Sequence, residues 1–134
     1  MIVVDTSALI NALTSQGEIG KVARDRLGSE ELTAPALIDW EVSSVLLSLS
    51  KPSRGRAAGL PRHDRDLAMN AFERLTIVRY GLHPLWPRMR ELANNLSGYD
   101  AAYVALAEQL DVPLVTADRR IERGARTTAT IEVL

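Results

Sequence analysis

The sequence has no cysteine among its 134 residues. This absence excludes disulfide frameworks, cysteine-based zinc sites and catalysis by a thiol, and it fits a reducing compartment such as the cytoplasm. A chain of this length buries roughly two thirds of the surface that its unfolded form exposes, so it needs none of these devices to fold. We therefore expect a single domain that spans residues 1–134.

Long apolar runs are also missing. The first five residues include no basic segment followed by an apolar stretch, so we expect no signal peptide. Charged residues or serines interrupt every other apolar stretch within a few positions, and we expect no membrane span.

Lysine is scarce, and the formal net charge is −1. A protein that binds nucleic acid without specificity is usually basic overall, so this balance counts mildly against such a role. Apart from Lys21 and Lys51, however, the basic residues are arginines, which contact phosphate in a bidentate manner better than lysine does. A GC-rich genome, which favours arginine codons, explains the same bias equally well.

Short apolar runs alternate with segments of helical periodicity along the chain. The predicted strands are 2–4, 32–34, 77–78, 113–116 and 131–133. The predicted helices are 8–13, 17–27, 36–50, 64–75, 84–96, 97–110 and a short one that begins at 118. Segment 51–62 is rich in proline, glycine and serine and is predicted to be a loop. This alternation predicts an α/β fold with a mainly parallel sheet.

Four acidic residues fall near the ends of these elements. Asp5 directly follows the first strand, and Asp118 lies two residues beyond the strand that ends at 116. Glu41 lies near the start of the helix after the second strand. Ligands of an open parallel sheet bind beyond the carboxyl ends of its strands, so these three acids should meet at one edge. Asp100 joins them if its helix starts at the same edge.

Each acid also has a simpler interpretation. Asp5 and Asp118 are placed to cap helices, and Asp100 lies three residues after Ser97, as in a capping box. Glu41 shares an otherwise apolar helix face, where a lone carboxylate is costly unless an arginine or a metal ion compensates it.

Taken together, the four acids predict a metal site. Converging carboxylates repel one another, and a hard divalent cation removes this conflict. Oxygen ligands select Mg²⁺ or Mn²⁺ over zinc, and such a cation assists the hydrolysis of phosphodiesters. The predicted metal-binding and catalytic residues are Asp5, Glu41, Asp100 and Asp118.

Four pieces of the chain are similar, in order and spacing, to the PIN-domain family and, within it, to VapC-type toxins of bacterial toxin–antitoxin pairs. They are residues 2–9, Glu41-Val42, residues 99–107 and residues 114–118. The resemblance implies a PIN-like three-layer fold, a sheet flanked by helices. It implies an endoribonuclease that depends on Mg²⁺ or Mn²⁺ held by the four acids, with Ser7 and Thr116 as supporting hydroxyls. It also implies a homodimer, and inhibition by a cognate VapB-type antitoxin.

Arginines cluster around the predicted loop and again after the last acid. If both clusters flank the acidic pocket, they contact phosphates of an RNA substrate; the alternative is a solvated surface, on which Asp64 and Asp66 neutralise the first cluster. The possible RNA contacts are Arg54, Arg56, Arg62, Arg65, Arg119, Arg120 and Arg123, with His63 and Arg126 nearby.

Aromatic residues offer a further contact. Tyr103 lies one turn after Asp100 and is placed to line the pocket. Trp40, Trp86 and Tyr99 could stack bases, although packing in the core or against a partner is favoured for the two tryptophans. Asp39 lies only two residues from Glu41 on the same helix and should point elsewhere.

Three other functions compete with this one. The main alternative is a PIN-like module that binds RNA or a partner without cutting. Replacement of one of the four acids would favour this alternative, but all four are present in the sequence. A receiver-type signalling domain needs a lysine after a late strand, and no lysine follows Lys51. A phosphatase with a D-x-D nucleophile needs an acid at position 7, which is Ser7.

Overall fold

The computed structural model describes residues 1–51 and 59–134. Within these ranges the elements in chain order are β1 Ile2–Val4, α1 Thr6–Thr14, α2 Glu18–Leu27, β2 Leu32–Pro35, α3 Ile38–Leu49, α4 Arg62–Arg74, β3 Ile77–Tyr80, α5 Trp86–Leu92, α6 Gly98–Leu110, β4 Leu114–Thr116, α7 Arg119–Gly124 and β5 Ile131–Val133. A 3₁₀ turn at His83–Leu85 leads into α5. The predicted strands are all present, so the α/β prediction is confirmed.

The sheet has its earliest strand at its centre. The five strands lie in the order β3-β2-β1-β4-β5, and every neighbouring pair is parallel. In register, Val3 of β1 lies opposite Thr33 on one side and Leu114 on the other. All three residues of β1 are buried, which explains why this strand is continuously apolar rather than alternating.

Helices cover both faces of the sheet. Helices α1 to α4 contact one another, and α5 packs on α6, while β4 contacts both α1 and α6. Residues 101–107 of α6 are buried without interruption, and their four alanines let this helix lie close to the strands. The predicted three-layer PIN-like arrangement is confirmed. None of the helices in the described ranges has the length and apolar character needed to cross a membrane.

One helix is shorter than its periodicity predicts. The segment predicted as helix 84–96 ends at Leu92, and residues 93–95 form a turn. Asparagine side chains compete with the helical backbone for hydrogen bonds, and the Asn94 amide donates to the Glu91 carbonyl oxygen at 3.4 Å. The chain then restarts at Ser97, whose hydroxyl accepts the Asp100 N–H at 3.1 Å and caps α6. This interruption sets where Asp100 lies.

The predicted loop 51–62 is only partly described. Residues 52–58 lie outside the described residues, and with them Arg54 and Arg56. At its end the prediction needs correction, because α4 begins at Arg62, directly after Pro61. Proline has a fixed φ and no N–H to donate, so it fits the start of a helix.

Candidate active site

A hollow of about 500 Å³ lies where the predicted acids meet. All four predicted acids line it, although they come from four separate segments of the chain. Its lining residues are Asp5, Thr6, Ser7, Ile10, Asn11, Glu41, Val45, Asp100, Tyr103, Ala117 and Asp118. The expected convergence, including that of Asp100, is therefore what the fold produces.

Asp5 is the most buried of the four acids in this hollow. It follows β1, is 5% exposed and caps α1 by accepting the Ala8 N–H at 3.0 Å. Its carboxylate also accepts the hydroxyls of Thr116 at 2.6 Å and Ser7 at 2.8 Å. The Ser7 hydroxyl also lies 2.9 Å from the second carboxylate oxygen, so each oxygen of Asp5 has two hydrogen-bonding contacts. Asp5 therefore caps α1 and also lines the hollow, so the two interpretations of this residue are compatible.

Burial raises the pKa of Asp5 to about 6, although the hydrogen bonds from Thr116, Ala8 and Ser7 oppose this shift. The charge of Asp100 adds to the rise. The ionised form of Asp5 thus lies in an unfavourable environment at neutral pH. A proton or a cation would relieve it.

Ser7 and Thr116 tie Asp5 to the segment that carries the last acid. The Ala117 N–H donates to the Ser7 hydroxyl at 2.8 Å, and the Asp118 N–H donates to the Thr116 hydroxyl at 2.9 Å. Each hydroxyl in turn donates to Asp5. Two chains of hydrogen bonds therefore run from the end of β4 to the end of β1, and they fix the two strand ends relative to each other.

Glu41 is held by hydroxyl groups and not by an arginine. The Thr6 hydroxyl donates to its carboxylate at 3.0 Å, and the Tyr103 phenol makes a short hydrogen bond to the same oxygen. Burial raises the pKa of Glu41, the two hydrogen bonds lower it, and the charge of Asp100 raises it further. Within the described residues no ion pair involves Glu41, so the arginine alternative is not supported there.

Tyr103 lines the hollow, as its spacing from Asp100 predicts. Burial raises the pKa of the Tyr103 phenol, and its hydrogen bond to Glu41 raises it further, so the phenol stays a donor. Thr6 was missed in the sequence, because its partners lie 35 and 97 positions away. Asn11 was also missed; its place one helical turn after Ser7 is the signal that could have found it.

Asp118 has a different environment. It caps α7 by accepting the Arg120 N–H at 2.8 Å, and the Arg120 guanidinium pairs with its carboxylate at 2.6 Å. These contacts with Arg120 hold the pKa of Asp118 below its usual range. The Arg120 side chain is 87% exposed, so water screens this pair and the guanidinium can exchange it for another anion.

The donor set of the hollow fits a hard dication in its chemistry. The acids that line it offer carboxylate oxygens, which hard cations prefer as ligands. The charge of Asp100 raises the pKa of both Asp5 and Glu41, so the three carboxylates repel one another. As the side chains lie, no three acids or histidines in the described part of the chain are close enough to hold one ion together. Hydrogen bonds hold Glu41 towards Tyr103, and Arg120 holds Asp118. A full ligand set therefore requires some of these side chains to change rotamer.

The five predicted RNA contacts that the structure describes are not among the residues that line the hollow. Arg65 pairs with Asp66 at 2.7 Å, as the neutralised surface predicts, and Arg62, Arg119 and Arg123 are exposed. Among the described arginines, Arg120 is the one bound to an acid of the hollow. Asp39 points elsewhere, as expected, and pairs with Arg79 at 2.8 Å.

The two tryptophans do not pack in the core. Trp40 is 60% exposed and Trp86 is 56% exposed, so this part of the prediction is wrong. The physical reason is their place near the beginning of α3 and α5, where the faces that carry them do not meet the sheet.

Comparison with known proteins identifies the family of this chain. The PIN domain family model matches residues 2–126. Ribonuclease VapC9 of Mycobacterium tuberculosis is 40% identical over 134 residues, which are 100% of this chain and 98% of that protein. The chain belongs to the PIN-domain family.

Two solved structures share the PIN fold. The crystal structure of VapC20 from Mycobacterium tuberculosis, a toxin that cleaves the sarcin-ricin loop, has a TM-score of 0.68 at 15% identity and covers 92% of this chain and 94% of that one. VapBC2 from Rickettsia felis, bound to a DNA fragment from its promoter, has a TM-score of 0.68 at 13% identity and covers 100% of this chain and 99% of that one. Both structures support the fold of this PIN domain.

The raised pKa of Asp5 predicts how stability depends on pH without metal. The folded PIN domain binds this proton more tightly than the unfolded chain, in which the pKa is near 3.8. The stabilisation from protonation is therefore complete below pH 3.8 and is lost as the pH rises through 6, by roughly 3 kcal/mol in total. Asp5→Asn has no carboxyl group to protonate at this position, so it lacks this pH-dependent stabilisation. Urea unfolding in EDTA from pH 4 to 7 should show the wild type losing stability relative to the variant.

Asp25→Asn is the matched control, because Asp25 lies in an exposed pair with Lys21. Its stability should follow that of the wild type across this pH range. Parallel stability curves for Asp5→Asn and the wild type would contradict the assignment.

Proposed function

We propose that this PIN domain is an endoribonuclease toxin that depends on Mg²⁺ or Mn²⁺. Asp5, Glu41, Asp100 and Asp118 would be its metal-binding and catalytic residues. The observation that carries the proposal is the meeting of four carboxylates from four segments around one hollow, with Asp5 nearly inaccessible to water. The 40% identity to a protein named a ribonuclease supports RNA as the substrate class.

A bound dication would coordinate a phosphate oxygen, activate a water molecule and stabilise the leaving oxygen. The residues of this chain prepare the hollow for it. Ser7 and Thr116 fix the carboxylate of Asp5, and Thr6 and Tyr103 fix that of Glu41. A carboxylate whose orientation is already set loses less freedom when it binds a cation or substrate.

Arg120 has a second role in this proposal. Its exposed guanidinium neutralises Asp118 in the free protein and is able to turn to a phosphate of the RNA instead. That exchange would free Asp118 for the cation as the substrate arrives. We propose that the other predicted arginines, Arg54, Arg56, Arg62, Arg65, Arg119 and Arg123, contact phosphates farther along the strand.

One observation favours the alternative of a binding module that does not cut RNA. No three acids within the described ranges are close enough to share an ion, and Asp118 is neutralised by Arg120. A cleavage assay separates the two functions, because the module would retain RNA without hydrolysing it.

We further propose that the protein acts in the cytoplasm as a homodimer that a VapB-type antitoxin inhibits. The similar structure from Rickettsia felis is that of a VapBC protein bound to promoter DNA, which supports a partner of this kind. The acidic hollow suits a basic segment of the antitoxin, whose side chains would compete with the cation for the same carboxylates.

Purified protein should cut RNA in Mg²⁺ or Mn²⁺, and EDTA should stop the reaction. Asp5→Ala and Asp100→Ala should each lower the rate by at least about 100-fold, because each removes a ligand of the cation. Gel analysis of the products measures this. Asp39→Ala is the control, since it removes an acid from α3 that pairs with Arg79 outside the hollow. Full activity in EDTA would reject the metal mechanism.

Production of the chain alone in bacteria should arrest growth, and production with the antitoxin should restore it. We expect that antitoxin to be encoded by a short reading frame just upstream. Asp100→Ala should be harmless in the same growth assay. Equal toxicity of this variant, or toxicity that the upstream gene product leaves unchanged, would count against a toxin of this type.

Light scattering tests the homodimer on the same preparation. The expected mass is twice the 14.7 kDa of one chain. A mass of one chain at micromolar concentration would contradict the dimer.

A further inference from the structure

Two exposed aromatic rings stack on each other beside the acidic hollow. Trp40 is 60% exposed and Tyr99 is 51% exposed, and their ring centroids lie 6.1 Å apart with an angle of 16° between the planes. Trp40 directly precedes Glu41 in α3, and Tyr99 directly precedes Asp100 in α6. Both neighbours line the hollow, so each ring of the pair lies one residue from a lining acid, while the rings themselves lie outside the lining.

The pair does not serve the core. An exposed tryptophan gives up most of the stabilisation that burial of its large ring would provide. The two rings are nearly parallel, and more than half of each residue remains exposed to solvent. Trp86 provides a comparison within the same chain, because it is exposed to a similar degree but meets His83 edge-on, at 82°. Its ring therefore forms no parallel stack with His83, and neither of its neighbours in the sequence lines the hollow.

An RNA strand faces an electrostatic obstacle at this site. The hollow is lined by four acids, no arginine is among its lining residues in the described part of the chain, and the net charge of the protein is −1. Charge alone therefore does not hold a polyanion over the hollow. Stacking of a base on an aromatic ring is attractive whatever the charge of the backbone, and every base has a face to offer.

We propose that the Trp40–Tyr99 pair is a platform on which one unpaired base of the RNA stacks, and that this contact positions the adjoining phosphate over the acids. The inference rests on the proposed ribonuclease function and narrows its substrate class. A base within a duplex has both faces covered by its neighbours, so the platform accepts single strands, loops and bulges. It selects an unpaired nucleotide and not a particular base. Trp40 and Tyr99 are positioning residues in this scheme.

Fluorescence tests the contact without cleavage. In Trp86→Phe, Trp40 is the one remaining tryptophan. A single-stranded oligouridylate, added in EDTA at low salt, should quench its emission to saturation, because the uracil ring stacks on the indole. An oligomer of the same length without bases carries the same charge and should leave the emission unchanged. No quenching by oligouridylate, or equal quenching by the oligomer without bases, would overturn the proposal.

Kinetics on a single-stranded RNA provides a second test. Trp40→Ala should raise KM about tenfold, within the range measured for base–aromatic stacks, and change kcat much less. Trp40→Phe retains a flat ring and should recover most of the loss. Trp86→Ala is the matched control and should keep the wild-type KM. A duplex substrate should be poor for the wild type and insensitive to Trp40→Ala.

The main competing occupant of the platform is a second copy of this chain. If Trp40→Ala turns a dimer into a monomer and leaves KM unchanged, the pair is a contact between protomers and the proposal is wrong. Failure of the proposed function looks different, because no RNA would then be cut with either metal. The fluorescence titration needs neither metal nor cleavage and decides on the platform in that case too.

Discussion

The burial of the Asp5 carboxylate at the end of the central strand is the constraint on which the site depends. Three groups donate hydrogen bonds to it, yet its pKa remains about 6, so desolvation outweighs them. A network built only for stability would have either a neutral residue at position 5 or an arginine beside it. The fold instead keeps a buried acid whose charge a cation would stabilise, and such groups are typical of functional sites.

The first turn of α1 orients two of the four acids. Thr6 turns to Glu41, and Ser7, one residue later, turns to Asp5, so two successive residues orient two different carboxylates. Tyr103 and Thr116 complete these contacts from α6 and β4. The carboxylate of Asp118 is held by the exposed guanidinium of Arg120 and not by a buried hydroxyl. Two acids are thus fixed before any ligand binds, and one is held by a contact that exchanges easily.

Local pattern explains which features were predictable from the sequence. The run Ile2–Val4 and the acid that follows it identify the central strand and its end without knowledge of the rest of the fold. The pairing of Tyr103 with Glu41, 62 positions away, could not be read in the same way. Such contacts depend on where α3 and α6 come to lie, and the strand order β3-β2-β1-β4-β5 decides that. The end of α5 was also missed, because the apolar period continues to Leu96 while Asn94 already terminates the helix.

The small net charge of the whole molecule bears on how it would bind RNA. A nuclease that relied on basic patches would attract any nucleic acid, and its affinity would fall steeply with salt. Here the arginines are mostly engaged with acids or exposed on the surface, and the hollow is negative. If this hollow is the cleavage site, attraction there would come from a bound cation, from Arg120 and from contacts that do not depend on charge. Under the proposal made above, an RNA segment with an unpaired base gains a contact of the last kind and a regular duplex does not, so the scarcity of positive charge would favour unpaired RNA as the substrate.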